Sequence, residues 1–127
     1  NITALFITHD KEDAFFLSDR IAIMNGGDIL QVGTCKELYN NPANLYCANF
    51  LGKISKISEN SYIRPENIKI CEDGKIEAII KDIIFYGSFY EVTVVVDGKD
   101  LLVYSADDSL KIGQNVKLHF EDRVLRF

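Results

Sequence analysis

The sequence predicts an α+β chain in two parts: the end of an α/β domain over residues 1–52, and a small all-β barrel over residues 53–127. Three observations predict this division. An apolar run of β-forming residues stands at Leu5–Ile7, as in a strand that is covered on both faces. Helix and hairpin patterns follow that run. The polar, weakly patterned stretch Lys53–Ser61 then separates them from a remainder rich in β-branched residues, and we predict a domain boundary there.

Start and stop signals organise the first part. Asp10 can cap a helix over residues 11–17. The segments "RIAIM", "NGG" and "DILQVG" predict a β-hairpin that ends at Gly33. Thr34 and Glu37 have the spacing of a capping box, so a second helix is expected to begin there.

A third helix is predicted after "NNP". Pro42 ends the second helix and suits the first turn of the next, which runs through Phe50 and stops at Gly52.

Short strands are predicted throughout the second part. The turns Asp73–Gly74 and Asp97–Gly98 separate strands as in hairpins, and Gly87 interrupts a long strand as a bend or bulge. A series of short strands separated by turns suggests a small barrel or sandwich. The clearest strand segments are residues 77–87, 88–96, 100–105 and 115–120.

Composition excludes several classes of function. The formal net charge is −5 and the 14 basic residues are scattered, which argues against nucleic acid as a partner. No apolar run approaches the length of a membrane span and no signal-peptide pattern is present, so a cytoplasmic location is expected. Cys35, Cys47 and Cys71 lack metal-ligand spacing, so we expect reduced thiols and no metal site.

His9 is the residue whose type and position suggest catalysis. It follows the predicted strand directly, and ligand sites of α/β sheets lie at the carboxyl ends of strands. The alternative is a structural histidine with satisfied hydrogen bonds. His119 alternates with apolar neighbours on a predicted strand, and its side chain is expected to be exposed or to have satisfied hydrogen bonds.

The segment from "FITHD" to "ILQVGT" resembles the switch-histidine region of the nucleotide-binding subunits of ATP-binding cassette (ABC) transporters. The resemblance extends through "KELYNNPANLYCANFLG", which is similar to the end of the ATPase domain in importers of the ferric, sulfate, polyamine and sugar group. The family commonly has Gln at Lys11 and Pro at Cys35, and neither position handles phosphate. The matching residues are Thr8, His9, Asp10, Glu12, Ala14, Leu17, Ser18, Asp19, Arg20, Ile21, Met24, Gly27, Ile29, Gln31, Gly33, Thr34, Glu37, Tyr39, Pro42, Asn44, Ala48, Phe50 and Gly52.

The resemblance implies that His9 contacts the γ-phosphate of ATP and holds the attacking water in line, while Asp10 caps the following helix. ATP and Mg²⁺ are then the ligands of the full-length parent. The sequence contains no G-x-x-x-x-G-K-[ST] loop and no Ser-Gly-Gly signature, so the chain is expected to be a carboxyl-terminal fragment that neither binds nor hydrolyses ATP by itself.

The segment "YIRPENIKI" and the strands after it resemble the transport-associated OB-like (TOBE) domain of these importer ATPases. Two interpretations of Arg64 and Glu66 remain open. They either contact a ligand as an oxyanion clamp, or fix a turn and pair charges locally, since Pro65 disfavours helix at Arg64. The matching residues are Arg64, Pro65, Glu66, Ile68, Gly87, Val92, Gly113 and Val116.

The resemblance therefore implies the ATP-hydrolysing subunit of a bacterial ABC importer, peripheral to the cytoplasmic side of the inner membrane, with ferric iron as the favoured substrate. Its expected partners are a second ATPase subunit in a homodimer and integral membrane permease subunits. The TOBE domain would serve dimerisation or substrate-linked regulation. Sulfate, molybdate, polyamine or sugar remain alternative substrates.

Two hypotheses from other classes remain. The first is a stand-alone β module that binds a small oxyanion or a metal. Acidic pairs at residues 72–73, 107–108 and 121–122 are expected to be solvated turns, although ferric iron prefers oxygen ligands of this kind. The second is a dimerisation element in which the exposed strand "FYEVTVVV" pairs across chains.

Overall fold

The computed structural model describes residues 5, 7–8, 10–17 and 19–127, with only the backbone at residues 13, 16 and 17. The chain divides into two compact units, Asn1–Gly52 and Lys53–Phe127. His9, the predicted catalytic residue, lies outside the described residues.

In its described residues the first unit contains helices and one hairpin, in agreement with the predicted order. A small core packs between them, with Ile23, Leu38, Cys47 and Leu51 all at most 2% exposed. The bounds are α1 Lys11–Leu17, β1 Ile21–Asn25, β2 Asp28–Gly33, α2 Cys35–Asn40 and α3 Leu45–Leu51.

Local hydrogen bonds explain these boundaries. The Thr34 hydroxyl accepts a hydrogen bond from the Glu37 amide at 3.2 Å and caps α2, as predicted. Gly26 and Gly27 have φ values of 61° and 86°, which suit the tight turn of the β1–β2 hairpin. The predicted start of α3 at Pro42 is wrong. Asn44 caps the helix instead, because its side-chain oxygen accepts from the Cys47 amide at 2.9 Å.

The predicted buried strand at Leu5–Ile7 is not confirmed. Leu5 and Ile7 are 90% and 92% exposed and belong to no strand, and Phe6 lies outside the described residues. A strand needs neighbours for its backbone hydrogen bonds, and no described strand pairs with this segment.

The second unit is built from strands and one short 3-10 turn. Its main sheet is antiparallel with the order β5-β9-β6-β7-β8, and β10, β4 and β3 form a second sheet. The edge strands β5 and β8 contact each other, so the main sheet is curled into a half-barrel. The bounds are β3 Ser55–Ser58, β4 Ser61–Ile63, the 3-10 turn Pro65–Asn67, β5 Ile68–Ile70, β6 Ile76–Phe85, β7 Tyr90–Val96, β8 Lys99–Ser105, β9 Asn115–Phe120 and β10 Leu125–Arg126.

One apolar core lies inside the curled sheet. It is lined by alternate residues of each strand, as a half-buried sheet requires. Aliphatic side chains supply most of its volume, and the described part of the unit is mostly β. The buried core residues are Ile63, Ile68, Ala78, Ile80, Val92, Val94, Leu101, Val103, Val116 and Leu118.

Part of the predicted boundary segment Lys53–Ser61 is a strand. Ser55 in β3 is 8% exposed, and its hydroxyl accepts a hydrogen bond from the Leu102 amide of β8 at 3.1 Å. The polar composition of Lys53–Ser61 concealed this strand, because β3 is stabilised by pairing with β4 rather than by its own apolar residues.

The hypothesis of intermolecular pairing through "FYEVTVVV" is also wrong. This segment forms β7, which has β6 on one side and β8 on the other. Both rows of its backbone hydrogen-bonding groups are therefore used within the chain, and Val92 and Val94 are 0% exposed.

Glycines mark the connections between strands. The turn Asp97–Gly98 joins β7 and β8 with positive φ at both residues, 49° and 78°, as predicted for a hairpin. Gly87 lies in the turn after β6 with φ of 90°, whereas the bulge in β6 lies between Ile80 and Asp82.

Among the described residues, no helix has the length and apolar character needed to cross a membrane.

The prediction of a hairpin turn at Asp73–Gly74 is wrong, and Gly74 is required for another reason. The strands it connects, β5 and β6, do not pair with each other, because β9 lies between them. Gly74 consequently crosses the β9 backbone so closely that an added Cβ would lie 2.7 Å from the Leu118 carbonyl oxygen and 2.8 Å from its amide nitrogen.

We expect Gly74→Ala to lower the free energy of unfolding by about 1–3 kcal/mol, because backbone must shift to admit the methyl group. Denaturant titration of the 127-residue chain measures this loss. Lys75→Ala, at an exposed neighbouring position, is the control and should leave stability nearly unchanged. Equal stability of the two variants would contradict the close crossing.

Candidate functional site

Thr8 and Asp10, the neighbours of His9 in the sequence, directly precede α1. The Asp10 carboxylate accepts a hydrogen bond from the Glu12 amide at 2.9 Å, so it caps α1 as expected. An open groove of about 670 Å³ is lined by Thr8, Asp10, Lys11 and Phe50. The role of His9 itself stays a prediction.

Arg64 lies at the elbow between β4 and the 3-10 turn. Its backbone is extended, with φ −83° and ψ 150°, because Pro65 follows it and begins the turn. The Arg64 side chain is 2% exposed, and its guanidinium donates a hydrogen bond to the Lys53 carbonyl at 3.5 Å. Glu66 is half-buried. This burial favours the structural interpretation of Arg64 over direct contact with a ligand.

Lys53 also contacts a second buried group, through its side chain. Its Nζ lies 2.6 Å from Oε2 of Glu91, whose side chain is 8% exposed, while the Lys53 side chain is 49% exposed. Glu91 is the second residue of β7, opposite Ile84 on β6 and Tyr104 on β8. Two atoms of Lys53 are thus held by buried side chains of the second unit.

Aromatic side chains lie beside this ion pair. The Lys53 ammonium lies 6.0 Å from the centre of the Tyr86 ring, at the outer limit for a cation–π contact. Tyr86 stacks on Phe89 with ring centres 5.4 Å apart, and Phe89 contacts Tyr104 at 4.9 Å. We call Lys53, Tyr86, Glu91 and Tyr104 the ammonium site.

The ammonium site shifts two pKa values upward. The hydrogen bond that the Lys53 ammonium donates to Glu91 holds the pKa of Lys53 above its ordinary value of 10.5, against a smaller opposing effect of burial. Burial raises the pKa of Tyr104 above 10.0, and the negative charge of Glu91 adds to this shift. Both groups therefore keep their protons more strongly in the folded chain than in the unfolded chain.

These shifts predict loss of stability in alkaline solution. Raised folded-state pKa values give a stabilisation that is complete below the ordinary values and is lost as the pH rises through the folded values. We expect the unfolding free energy to fall above about pH 10, and to fall less steeply in Tyr104→Phe. Chemical denaturation across this pH range measures both slopes.

Cys47 and Cys71 also have pKa values raised by burial, so they add to the loss of stability in alkaline solution. Their contribution is the same in the wild type and in Tyr104→Phe, so the difference between the two slopes reports Tyr104 alone. Identical slopes for the wild type and Tyr104→Phe would contradict the assigned effect of Tyr104.

The residue pattern missed most of the ammonium site. The sequence pattern predicts a domain boundary at Lys53 and places Glu91 only within a strand. The available signal was a single carboxylate within the β-branched run "YEVTVVV". Its partner lies 38 residues earlier in the chain, so no local pattern could pair them.

The predicted acidic turns contribute to a separate groove of about 1000 Å³ at one end of the main sheet. Glu72, Glu77, Asp97 and Asp107 line it together with Lys117. Among the described residues, no group of three or more His, Cys, Asp or Glu side chains is arranged to hold a metal ion. His119 is exposed on β9.

Comparison with known proteins identifies similar sequences over both units. Residues 62–127 match the family model of the TOBE domain. The chain is 34% identical to the spermidine/putrescine import ATP-binding protein PotA of Borrelia garinii subsp. bavariensis, over 94% of this chain and 43% of that protein. The PotA proteins of Nitratidesulfovibrio vulgaris and Mycoplasma capricolum are 34% and 32% identical, over 98% and 94% of this chain and 34% and 33% of theirs.

The chain therefore spans between a third and somewhat over two fifths of the length of these curated relatives. The prediction of ferric iron as substrate is not supported, because these relatives carry the names of polyamine importers.

Proposed function

The chain belongs to the TOBE-domain family of ABC importer ATP-binding subunits, and on this premise we propose that it is part of the ATP-hydrolysing subunit of a polyamine importer. The observation that carries the proposal is identity of 34% with polyamine import proteins over 94–98% of the chain. The polyamine alternative, which the sequence left open, replaces ferric iron.

In this proposal the first unit is the end of the α/β ATPase domain. His9 donates an imidazole N–H to the γ-phosphate of ATP and orients the attacking water, which is the positioning that phosphoryl transfer requires. The chain has no phosphate-cradling loop, so in this proposal its own contact with ATP is limited to His9, and the groups that hold the other phosphates and Mg²⁺ belong to the rest of the ATP-binding subunit.

In the same proposal the second unit serves the pairing or the regulation of the ATP-hydrolysing subunit. The subunit works as a pair at the cytoplasmic face of the membrane, with permease subunits as partners. The curled sheet with its buried Arg64 supplies a rigid module for subunit association or for sensing the imported substrate.

A graft experiment tests this function. Residues 1–127 replace the matching region in the ATP-binding subunit of a polyamine importer, and in a second graft that of a sugar importer. We expect uptake of labelled putrescine to be retained in the first graft and sugar uptake to be lost in the second. Loss of putrescine uptake from a correctly assembled first graft would contradict the assignment.

A further inference from the structure

The ammonium site is asymmetric in its exposure. The Glu91 side chain is 8% exposed, whereas half of the Lys53 side chain is in contact with solvent. The Lys53 ammonium lies 2.6 Å from Oε2 of Glu91 and is the more exposed partner of this pair. A cation from solvent that paired with Oε2 of Glu91 would therefore compete with Lys53 for this oxygen.

We propose that Glu91, Tyr86 and Tyr104 form a binding site for a primary alkylammonium ligand, and that Lys53 is a built-in competitor for this site. A free ligand binds by displacing the Lys53 ammonium into solvent. The proposal rests on the proposed function for the class of its ligand, since polyamines are alkyl chains that end in primary ammonium groups.

The chemistry of the site suits this ligand. A lysine side chain is an alkylammonium on a four-carbon stem, so the structure already contains a close analogue of one end of putrescine. The buried carboxylate supplies the ion pair, and the Tyr86 ring supplies a weaker attraction at 6.0 Å. The raised pKa of Lys53 is consistent with a site that favours a protonated amine.

Lys53 can leave without disturbing the backbone. It precedes β3 and belongs to no helix or strand, and its carbonyl is held separately by the Arg64 guanidinium. Its half-exposed side chain can therefore rotate into water while the main chain stays in place. An ammonium is strongly hydrated, which makes this release inexpensive.

The test is a calorimetric titration of putrescine into the 127-residue chain at constant ionic strength. If Lys53 occupies the site about nine-tenths of the time, Lys53→Ala should bind putrescine about tenfold more tightly than the wild type. Glu91→Gln should lose binding, both alone and combined with Lys53→Ala. Circular dichroism establishes that each variant is folded.

Lys81→Ala is the matched control. It also removes one positive charge from an ion pair, since Lys81 Nζ lies 2.9 Å from Asp100, but both of these side chains are more than half exposed. We expect its affinity for putrescine to equal that of the wild type. Equal tightening in Lys81→Ala and Lys53→Ala would overturn the proposal, because net charge alone would then explain the gain.

The proposal would also be overturned if Lys53→Ala bound putrescine no more tightly than the wild type. The result is separate from the graft experiment. Tighter binding by Lys53→Ala with no putrescine uptake supports the ammonium site and rejects the importer assignment, and the converse result rejects only the ammonium site.

Discussion

Replacing His9 with alanine is expected to lower ATP turnover about 10²–10³-fold in the polyamine-importer graft, while ATP binding stays nearly unchanged. The reason is that phosphoryl transfer depends on positioned donors that stabilise charge on the γ-phosphate oxygens, and alanine supplies none. Because this interaction forms mainly in the transition state, its loss affects turnover rather than affinity. Phosphate release at saturating ATP, and equilibrium binding of a labelled nucleotide, measure the two quantities.

Lys11→Gln is the control for this experiment. Lys11 is near His9 in sequence, and the resembling family commonly has Gln there, so turnover should equal that of the unmodified graft. Turnover of His9→Ala within about threefold of the control would reject the catalytic role. An equal loss in both variants would instead indicate damage to the start of α1.

The largest effect on stability is expected from Leu118→Ala, which should lower the free energy of unfolding by about 2–5 kcal/mol. Leu118 is 0% exposed in β9, the strand that joins β5 to β6. Truncation removes buried apolar surface and leaves a cavity that the paired strands cannot close. Denaturant unfolding followed by the circular dichroism of the strands measures the loss.

Lys117→Ala, on the exposed face of the same strand, should change stability by less than about 0.5 kcal/mol. If Leu118→Ala were no more destabilising than this control, β9 would not be a central strand of the core.

Local signals in the sequence predicted most of the helices and hairpins. The capping of α1 by Asp10 and of α2 by Thr34, and the hairpin turn at Gly26–Gly27, are confirmed. Each depends on hydrogen bonds or backbone angles within a few residues, so the neighbouring residues suffice to specify it.

Apart from the start of α3, where the local Asn44 cap was overlooked, the errors arose where a distant segment determined the outcome. The turn at Asp73–Gly74 predicts a hairpin between β5 and β6. Instead β9, which lies more than 40 residues later in the chain, pairs with both strands and separates them. The polar segment containing Ser55 is predicted as a domain boundary without a strand for the same reason, since its strand forms through pairing with β4.

The ammonium site shows the same division. The sequence by itself determined the order of the helices and the hairpin of the first unit, the strand that carries Glu91, and the motif that contains Arg64. Only the tertiary structure brought the Lys53 ammonium to within 2.6 Å of Glu91 and buried the carboxylate. The physical reason is that side-chain pattern reports which face of a strand is buried, whereas the partner of a buried charge depends on which distant segment covers it.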